Sequence, residues 1–342
     1  MGGQIDGAAP IALRKPYLLL LADIVDPVVA KTAFGLRDWL PDDVVGQWRF
    51  SDRAVDLGLP DLDPEAAVRA GARSVVVGAA PVGGRLPAHW VDALAEAARA
   101  GLDVVSGLHA RLGDLPALVA AAETGGAALH DVRRPPDDLP IGTGHKRPGK
   151  RLLTVGADCA IGKKYAALAI ARGLRARGVA ADFRATGQTG IMIAGSGIPI
   201  DSVVADFLAG AAELLSPAAA PDHWDVVEGQ GSLFHPSYAG VALGLIHGSQ
   251  PDALVLCYDP ARREIDGCEG FAIPDIATAI ARNVEAARLT NPAARCVGLS
   301  LNTSRLSDGD ARGLLEAMAA EHGLPVIDPL RFGVDAIVDA LI

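Results

Sequence analysis

Aromatic residues supply only 4% of this 342-residue sequence, so an aromatic-rich β-sandwich core is not available to it. Cysteine is equally sparse. Cys159, Cys257, Cys268 and Cys296 contain no C-x-x-C pair and no zinc spacing, so free thiols in a reducing compartment are expected, with no bound metal. Basic residues are outnumbered, 31 Lys and Arg against 41 Asp and Glu, giving a formal charge of −10. With no basic tract to offset it, that balance argues against nucleic acid as a partner. No apolar run is long enough to span a membrane, which takes roughly 20 residues, and Leu18 to Ala22 is far shorter. The opening residues, MGGQIDGAAP, lack the basic and apolar regions of a signal peptide, so a soluble cytoplasmic protein is expected. No internal repeat is present.

Half the residues are apolar, chiefly Ala, Val and Leu, with abundant Gly, which suits helices laid on a buried parallel sheet. The length exceeds the roughly 250–300 residues at which one core stops growing, so two domains are expected. The apolar run Tyr17 to Ala22 reads as a strand ending near Asp23 and Asp26, and Val28 to Leu40 as a helix. Ser74 to Val77 is a second strand, Gly78 to Gly84 with its Gly83-Gly84 pair a turn, Ala88 to Arg99 a helix, and Leu102 to Ser106 a third strand. Asp23 and Asp26, with Gly107 and His109 at the third strand's end, could form half of a cleft, while capping of the following helix is the plainer reading of the two aspartates. The stretch from Arg133 to Lys150 holds four prolines and three glycines without apolar periodicity, and is the expected linker. This divides the chain into 1–147, an open parallel sheet of α/β class, and 148–342, a second α/β domain.

The second domain opens on RLLTVGADCAIGKK. Leu152, Leu153 and Val155 form a buried strand, Gly156 turns the chain, and Gly162 brings backbone amides to a helix start, where Lys163 adds a full charge. It reads as a phosphate-binding loop. Candidate ligand-holding residues are Gly156, Asp158, Cys159, Ala160, Ile161, Gly162, Lys163 and Lys164. Five residues rather than four separate the glycines, and Lys164 stands where a Ser or Thr hydroxyl would hold Mg²⁺. The result is a doubly cationic cradle suited to a nucleotide that is held without being split.

After a helix from Lys163 to Arg177, closed by Gly178, and a strand from Val179 to Phe183, the glycine-rich segment Arg184 to Pro199 is expected to be a ligand-binding loop. Arg184 would take a carboxylate or a phosphate, and Gln188 and Thr189 would orient polar atoms. Ile200 to Leu215 is read as one helix with a core stripe that includes Val204 and Phe207. The strand Trp224 to Glu228 ends in a carboxylate, followed by Gln230, Ser232 and His235 in a polar loop. Glu228 is the leading candidate for a general base or a metal contact and His235 ranks behind it as a base, with Gln230 and Ser232 as substrate contacts. Strands at Ala253 to Tyr258, Cys296 to Leu301 and Pro325 to Ile327 alternate with helices at Ile276 to Arg288 and Asp308 to Glu321 and a terminal helix. Asn302, Asp328 and Arg331 fall at or just after strand ends, where base or ribose recognition and plain capping are both open readings.

VGADCAIGKK (Val155 to Lys164), TGQTGIMIAG (Thr186 to Gly195), PIDSVVADFLAGAAE (Pro199 to Glu213), VEGQGSLFHPSYAG (Val227 to Gly240), DPLRFG (Asp328 to Gly333) and, in the first domain, SGLH (Ser106 to His109) are together similar to a two-domain bacterial family, the DgcN-like D-glutamate N-acetyltransferases. The resemblance implies an α/β fold, with an N-terminal Rossmann-like open parallel sheet followed by a P-loop NTPase-like three-layer α/β/α domain, and an acyltransferase acting on D-glutamate or a related acidic amino acid. Acetyl-CoA is the implied co-substrate, its phosphates held by the loop. A homo-oligomer is the expectation. The loop and the VEGQG turn also resemble those of dethiobiotin synthetases, which would imply ATP and Mg²⁺ in a ligase or kinase, although Lys164 replaces the threonine of that family. A nucleotide-binding regulator without catalysis is the third class.

Overall fold

The computed structural model describes residues 11–81 and 84–342. The opening ten residues and Gly83 of the expected glycine turn lie outside the described residues. Two compact units are formed. One runs through Arg134 and also takes in Gln188–Pro199; the other comprises Pro135–Gly187 and Ile200–Ile342.

In the first unit, β1 (Tyr17–Ala22) has every side chain buried, because a parallel strand covered on both faces needs a continuous apolar run. It pairs in parallel with β2 (Val44–Arg49) on one side and β3 (Ser74–Val77) on the other, followed by β4 (Asp103–Ser106) and β5 (Leu129–Asp131), in the order β2-β1-β3-β4-β5. The strands alternate with α1 (Lys31–Trp39), α2 (Pro64–Arg69), α3 (Ala88–Arg99) and α4 (Pro116–Gly125). β2, α2, β5 and α4 were not expected from sequence: VVGQWR is only half-buried at its ends, α2 is six residues long, and LHD is three. Asp26 does cap a local turn, accepting from Val28 N at 2.9 Å. Asp23 does not; it accepts from Trp90 Nε1 at 2.7 Å and lies 3.1 Å from His89 Nε2.

The second unit carries β6 (Lys150–Gly156), β7 (Ala181–Arg184), β8 (Trp224–Val227), β9 (Ala253–Tyr258), β10 (Arg295–Leu301) and β11 (Val326–Ile327) in the all-parallel order β11-β10-β9-β6-β8-β7. Its helices are α5 (Lys163–Ala176), α7 (Ala205–Leu215), α8 (Ala239–Ser249), α9 (Ile276–Arg288), α10 (Asp308–His322) and α11 (Asp335–Asp339). The chain passes from β8 on one side of β6 to β9 on the other, so the carboxyl end of β6 is a topological switch point, where open parallel sheets leave a crevice.

The proline-rich stretch expected as a linker is part of this unit. Glu213 accepts from the amides of Thr143 at 3.0 Å and Gly144 at 2.9 Å, and Arg147 donates to Ser216 O at 2.9 Å. The units therefore part at Pro135 rather than at 147/148. The segment expected as a glycine-rich loop after Arg184 contains a helix, α6 (Gln188–Ala194), built into the first unit. Helix Ile200 to Leu215 is broken: Ile200–Ser202 is one 3-10 turn, α7 begins at Ala205, and Val204 is 66% exposed instead of core. Among the described residues no helix is long and apolar enough to cross a membrane.

Candidate active site around the phosphate loop

β6 delivers the chain to Gly156, and α5 starts at Lys163 behind Gly162, whose φ of +104° is one that a side chain would strain. The amides of Ala160, Ile161 and Gly162 have no hydrogen-bond acceptor among the described residues. Ile161 anchors the loop by packing on Ala166 and Cys257. These open donors at a helix N-terminus form an anion cradle.

Lys163 is buried and folds back over the loop, donating to Asp158 O at 2.6 Å; burial lowers its pKa. Its aliphatic stem crosses Gly229, where an added Cβ would stand 3.0 Å from Cδ and 1.7 Å from Thr154 O. Only glycine permits that approach. Thr154 Oγ1 accepts from Gly229 N at 2.9 Å, and Ser232 Oγ donates to Gly156 O at 2.9 Å, so the turn after β8 is fixed to the loop.

Glu228 lies at the end of β8, nearly fully buried. Its Oε2 accepts from Thr186 N at 3.0 Å and Gly187 N at 3.1 Å, and Thr186 Oγ1 donates to Glu228 O at 2.7 Å. Burial raises its pKa from 4.5 to about 7, against the opposing pull of those amides and of Lys164. Oε1 has no hydrogen-bond partner among the described residues. Gln230 Nε2 packs against Gly187, where an added Cβ would be 2.3 Å away.

The structure thus brings Gly156, Gly162, Lys163, Lys164, Glu228, Gln230 and Ser232 into one neighbourhood. Others take different roles. Asp158 is bonded within the protein: its Oδ1 accepts from Cys159 N at 2.7 Å, and its Oδ2 from Arg262 Nη1 at 2.5 Å and Asp266 N at 2.9 Å. His235 spends both ring nitrogens, Nδ1 accepting from Ser237 N at 3.1 Å and Nε2 donating to Asp266 O at 3.2 Å, which leaves none for a base. Arg184 points back along the sheet to Asp225 at 2.7 Å and Asp182 at 3.2 Å, so its charge is already met. Gln188 and Thr189 belong to the first unit, where Thr189 Oγ1 is 3.1 Å from Thr32 Oγ1 and Gln188 packs on Gly107.

Two groups bring three metal-binding side chains within reach of one another, Asp158 with Cys159 and His235, and Asp182 with His223 and Asp225. Neither suits an ion: protein donors and carbonyls take up Asp158 and His235, and Arg184 sits between the carboxylates of the second. Sequence reasoning missed Arg262, in the turn after β9, because only the fold brings a residue about a hundred positions downstream onto the loop.

The described P-loop domain DUF1611_C, a domain of unknown function, matches residues 140–338, and its Rossmann-like counterpart DUF1611_N matches residues 49–135. The chain belongs to the DUF1611 family. A crystal structure of a DUF1611 family protein from Anabaena variabilis superimposes with a TM-score of 0.87 at 32% identity, covering 96% of this chain and 99% of that one. A protein of Tritonibacter scottomollicae named D-glutamate N-acetyltransferase is 46% identical over 96% of this chain and 99% of its own length. One of the same name from a Pseudoalteromonas species is 44% identical over 95% of this chain and 98% of its own. The family's division between the two matched domains, at 135 and 140, coincides with the start of the second compact unit.

Proposed function

We propose that this DUF1611 protein is a D-glutamate N-acetyltransferase that draws its acetyl group from acetyl-CoA. The observation that carries the reading is the near full-length similarity to two proteins named for that activity. The phosphate loop supports the donor: open amides, Lys163 and Lys164 supply positive charge for a pyrophosphate, and Lys164 occupies the position of a metal-binding hydroxyl.

In the reaction the amine nitrogen, freed of its extra proton, attacks the thioester carbonyl; a C–N bond forms, the C–S bond breaks, and the CoA thiolate takes up a proton. Glu228 is assigned to donor recognition rather than to the base. It lies against the phosphate loop, whereas the whole pantetheine arm separates a bound pyrophosphate from its thioester. Protonated near neutral pH, Glu228 Oε1 can donate to a phosphate oxygen instead of repelling it.

Purified protein incubated with acetyl-CoA and D- or L-glutamate, and separately with Mg-ATP, is analysed by mass spectrometry. N-acetylglutamate from the D isomer is the expected product. Its absence from every acetyl-CoA mixture, or ADP formed from Mg-ATP, overturns the reading.

A further inference from the structure

We propose that the turns following β10 and β11 are the nucleoside subsite of an acyl-CoA donor, with Arg305 receiving the ribose 3′-phosphate and Leu306 and Leu330 lying against the adenine. The inference rests on the reading that the phosphate loop holds the donor's pyrophosphate.

Strand order gives the direction. β9, β10 and β11 lie successively to one side of β6. At a spacing of about 4.8 Å per strand, the carboxyl ends of β10 and β11 stand roughly 10 and 14 Å sideways from that of β6, on the same edge of the sheet. That is the reach of a nucleoside from its 5′-phosphate. On the opposite side, the ends of β8 and β7 are closed by the Glu228 hydrogen bonds, and Arg184 is taken by two carboxylates.

The two turns form one rigid piece. Buried Asp328 accepts from Thr303 N at 3.2 Å and Thr303 Oγ1 at 2.6 Å, and from Leu330 N at 3.1 Å and Arg331 N at 3.3 Å. Arg331 donates from Nη1 to Thr303 O at 2.6 Å and pairs with Asp308. A ligand meeting this surface need not order it first, which favours binding.

What the hub leaves outward is specific in kind. Leu306, tied by its amide to Thr303 O at 2.9 Å, is 37% exposed, and Leu330 is 62% exposed. They are large, exposed apolar side chains in the turns that follow β10 and β11, and would offer apolar surface to a flat base. Between Ser304 and Leu306 stands Arg305, exposed and without an ion pair or hydrogen bond among the described residues. Its neighbours differ: Arg331 is committed to Thr303 and Asp308, Arg262 to Asp158, and Arg312 lies over the Phe332 ring at 4.1 Å. In a chain of net charge −10, an uncommitted guanidinium on this turn is suited to a phosphate dianion, which CoA carries on its ribose and ATP does not.

The test measures KM for acetyl-CoA and for acetyl-3′-dephospho-CoA, with D-glutamate saturating. The wild type is expected to favour acetyl-CoA about tenfold, and Arg305→Ala to erase that preference by raising the acetyl-CoA KM alone. Leu330→Ser is expected to raise both KM values about fivefold with kcat unchanged. A preference that survives Arg305→Ala, or unchanged KM values in Leu330→Ser, overturns the proposal. Calorimetry with adenosine 3′,5′-bisphosphate reads the same subsite without turnover: binding about tenfold weaker in Arg305→Ala supports it, and equal affinity overturns it. Should acetyl transfer be absent, the functional reading falls while this binding comparison still decides the subsite.

Discussion

Arg262 Nη1 donates to Asp158 Oδ2 at 2.5 Å and to Cys159 O at 2.9 Å, joining the turn after β9 to the phosphate loop. Asp158 is wholly buried, so its charge depends on that partner and on two backbone amides.

Removing the guanidinium strands a buried carboxylate. Arg262→Ala is expected to destabilise the fold by about 3 kcal/mol in denaturant unfolding, with Asp158→Asn in the same chain recovering part of the loss. If Arg262→Ala unfolds at the wild-type midpoint, the pair does not hold the loop.

Lys163 reaches across the crevice floor from a buried position, and its charge is the donor's nearest cation under the proposed function. Lys163→Ala should raise the KM for acetyl-CoA more than about tenfold while leaving that for D-glutamate within about twofold. Equal effects on the two substrates would count against the loop as donor site.

The raised pKa of Glu228 fixes the sign of a pH effect. Between 4.5 and about 7 the folded protein holds a proton that the unfolded chain has lost, so this group's contribution to stability falls as pH rises through that window. The same ionisation places a negative charge beside the donor phosphates. The acetyl-CoA KM should therefore climb several-fold, about fivefold, from pH 6 to pH 8, and Glu228→Gln should flatten the profile and bind as tightly at pH 8 as the wild type does at pH 6. A wild-type profile retained in Glu228→Gln would refute the assignment.

Lys164 stands where a metal-ligating hydroxyl would be, and its charge acts on Glu228. Acetyl transfer is expected to proceed at the same rate, within about twofold, after EDTA treatment and with added Mg²⁺. A loss of activity that Mg²⁺ restores would show that the lysine does not replace the ion.

Gly229 has no room for a side chain, since a Cβ would lie 1.7 Å from the Thr154 carbonyl oxygen on the neighbouring strand. Gly229→Ala should cost about 3 kcal/mol or more and lower the thermal midpoint by several degrees. A midpoint unchanged in differential scanning calorimetry would mean that the β6–β8 approach relaxes freely.

Local chemistry made the alternation of strands and helices legible in the sequence. Tyr17 to Ala22, Ala253 to Tyr258 and the α5 stripe of Leu168, Ala171 and Leu174 are apolar at the spacing their elements require, and all these side chains are buried or nearly so. The P-loop from Gly156 to Lys164 was readable for the same reason, because its glycines and lysines lie within one short stretch of chain. β2 and β5, with weak or short apolar patterns, were not. Neither was α6, since the glycines around Gln188 and Thr189 mask a helix whose stability comes from packing in the first unit.

Where distant residues meet, tertiary structure alone decided the outcome. Arg184 and His235 have the residue types of a binding group and a base, yet Asp225 consumes the first, and Asp266 and Ser237 consume the second. A side chain's availability depends on which partners the fold supplies, and hydrogen bonds between residues tens of positions apart leave no local pattern. The sequence could place a P-loop at the end of β6; only the fold could bury Glu228 at the end of the neighbouring β8 and leave Arg305 exposed in the turn after β10.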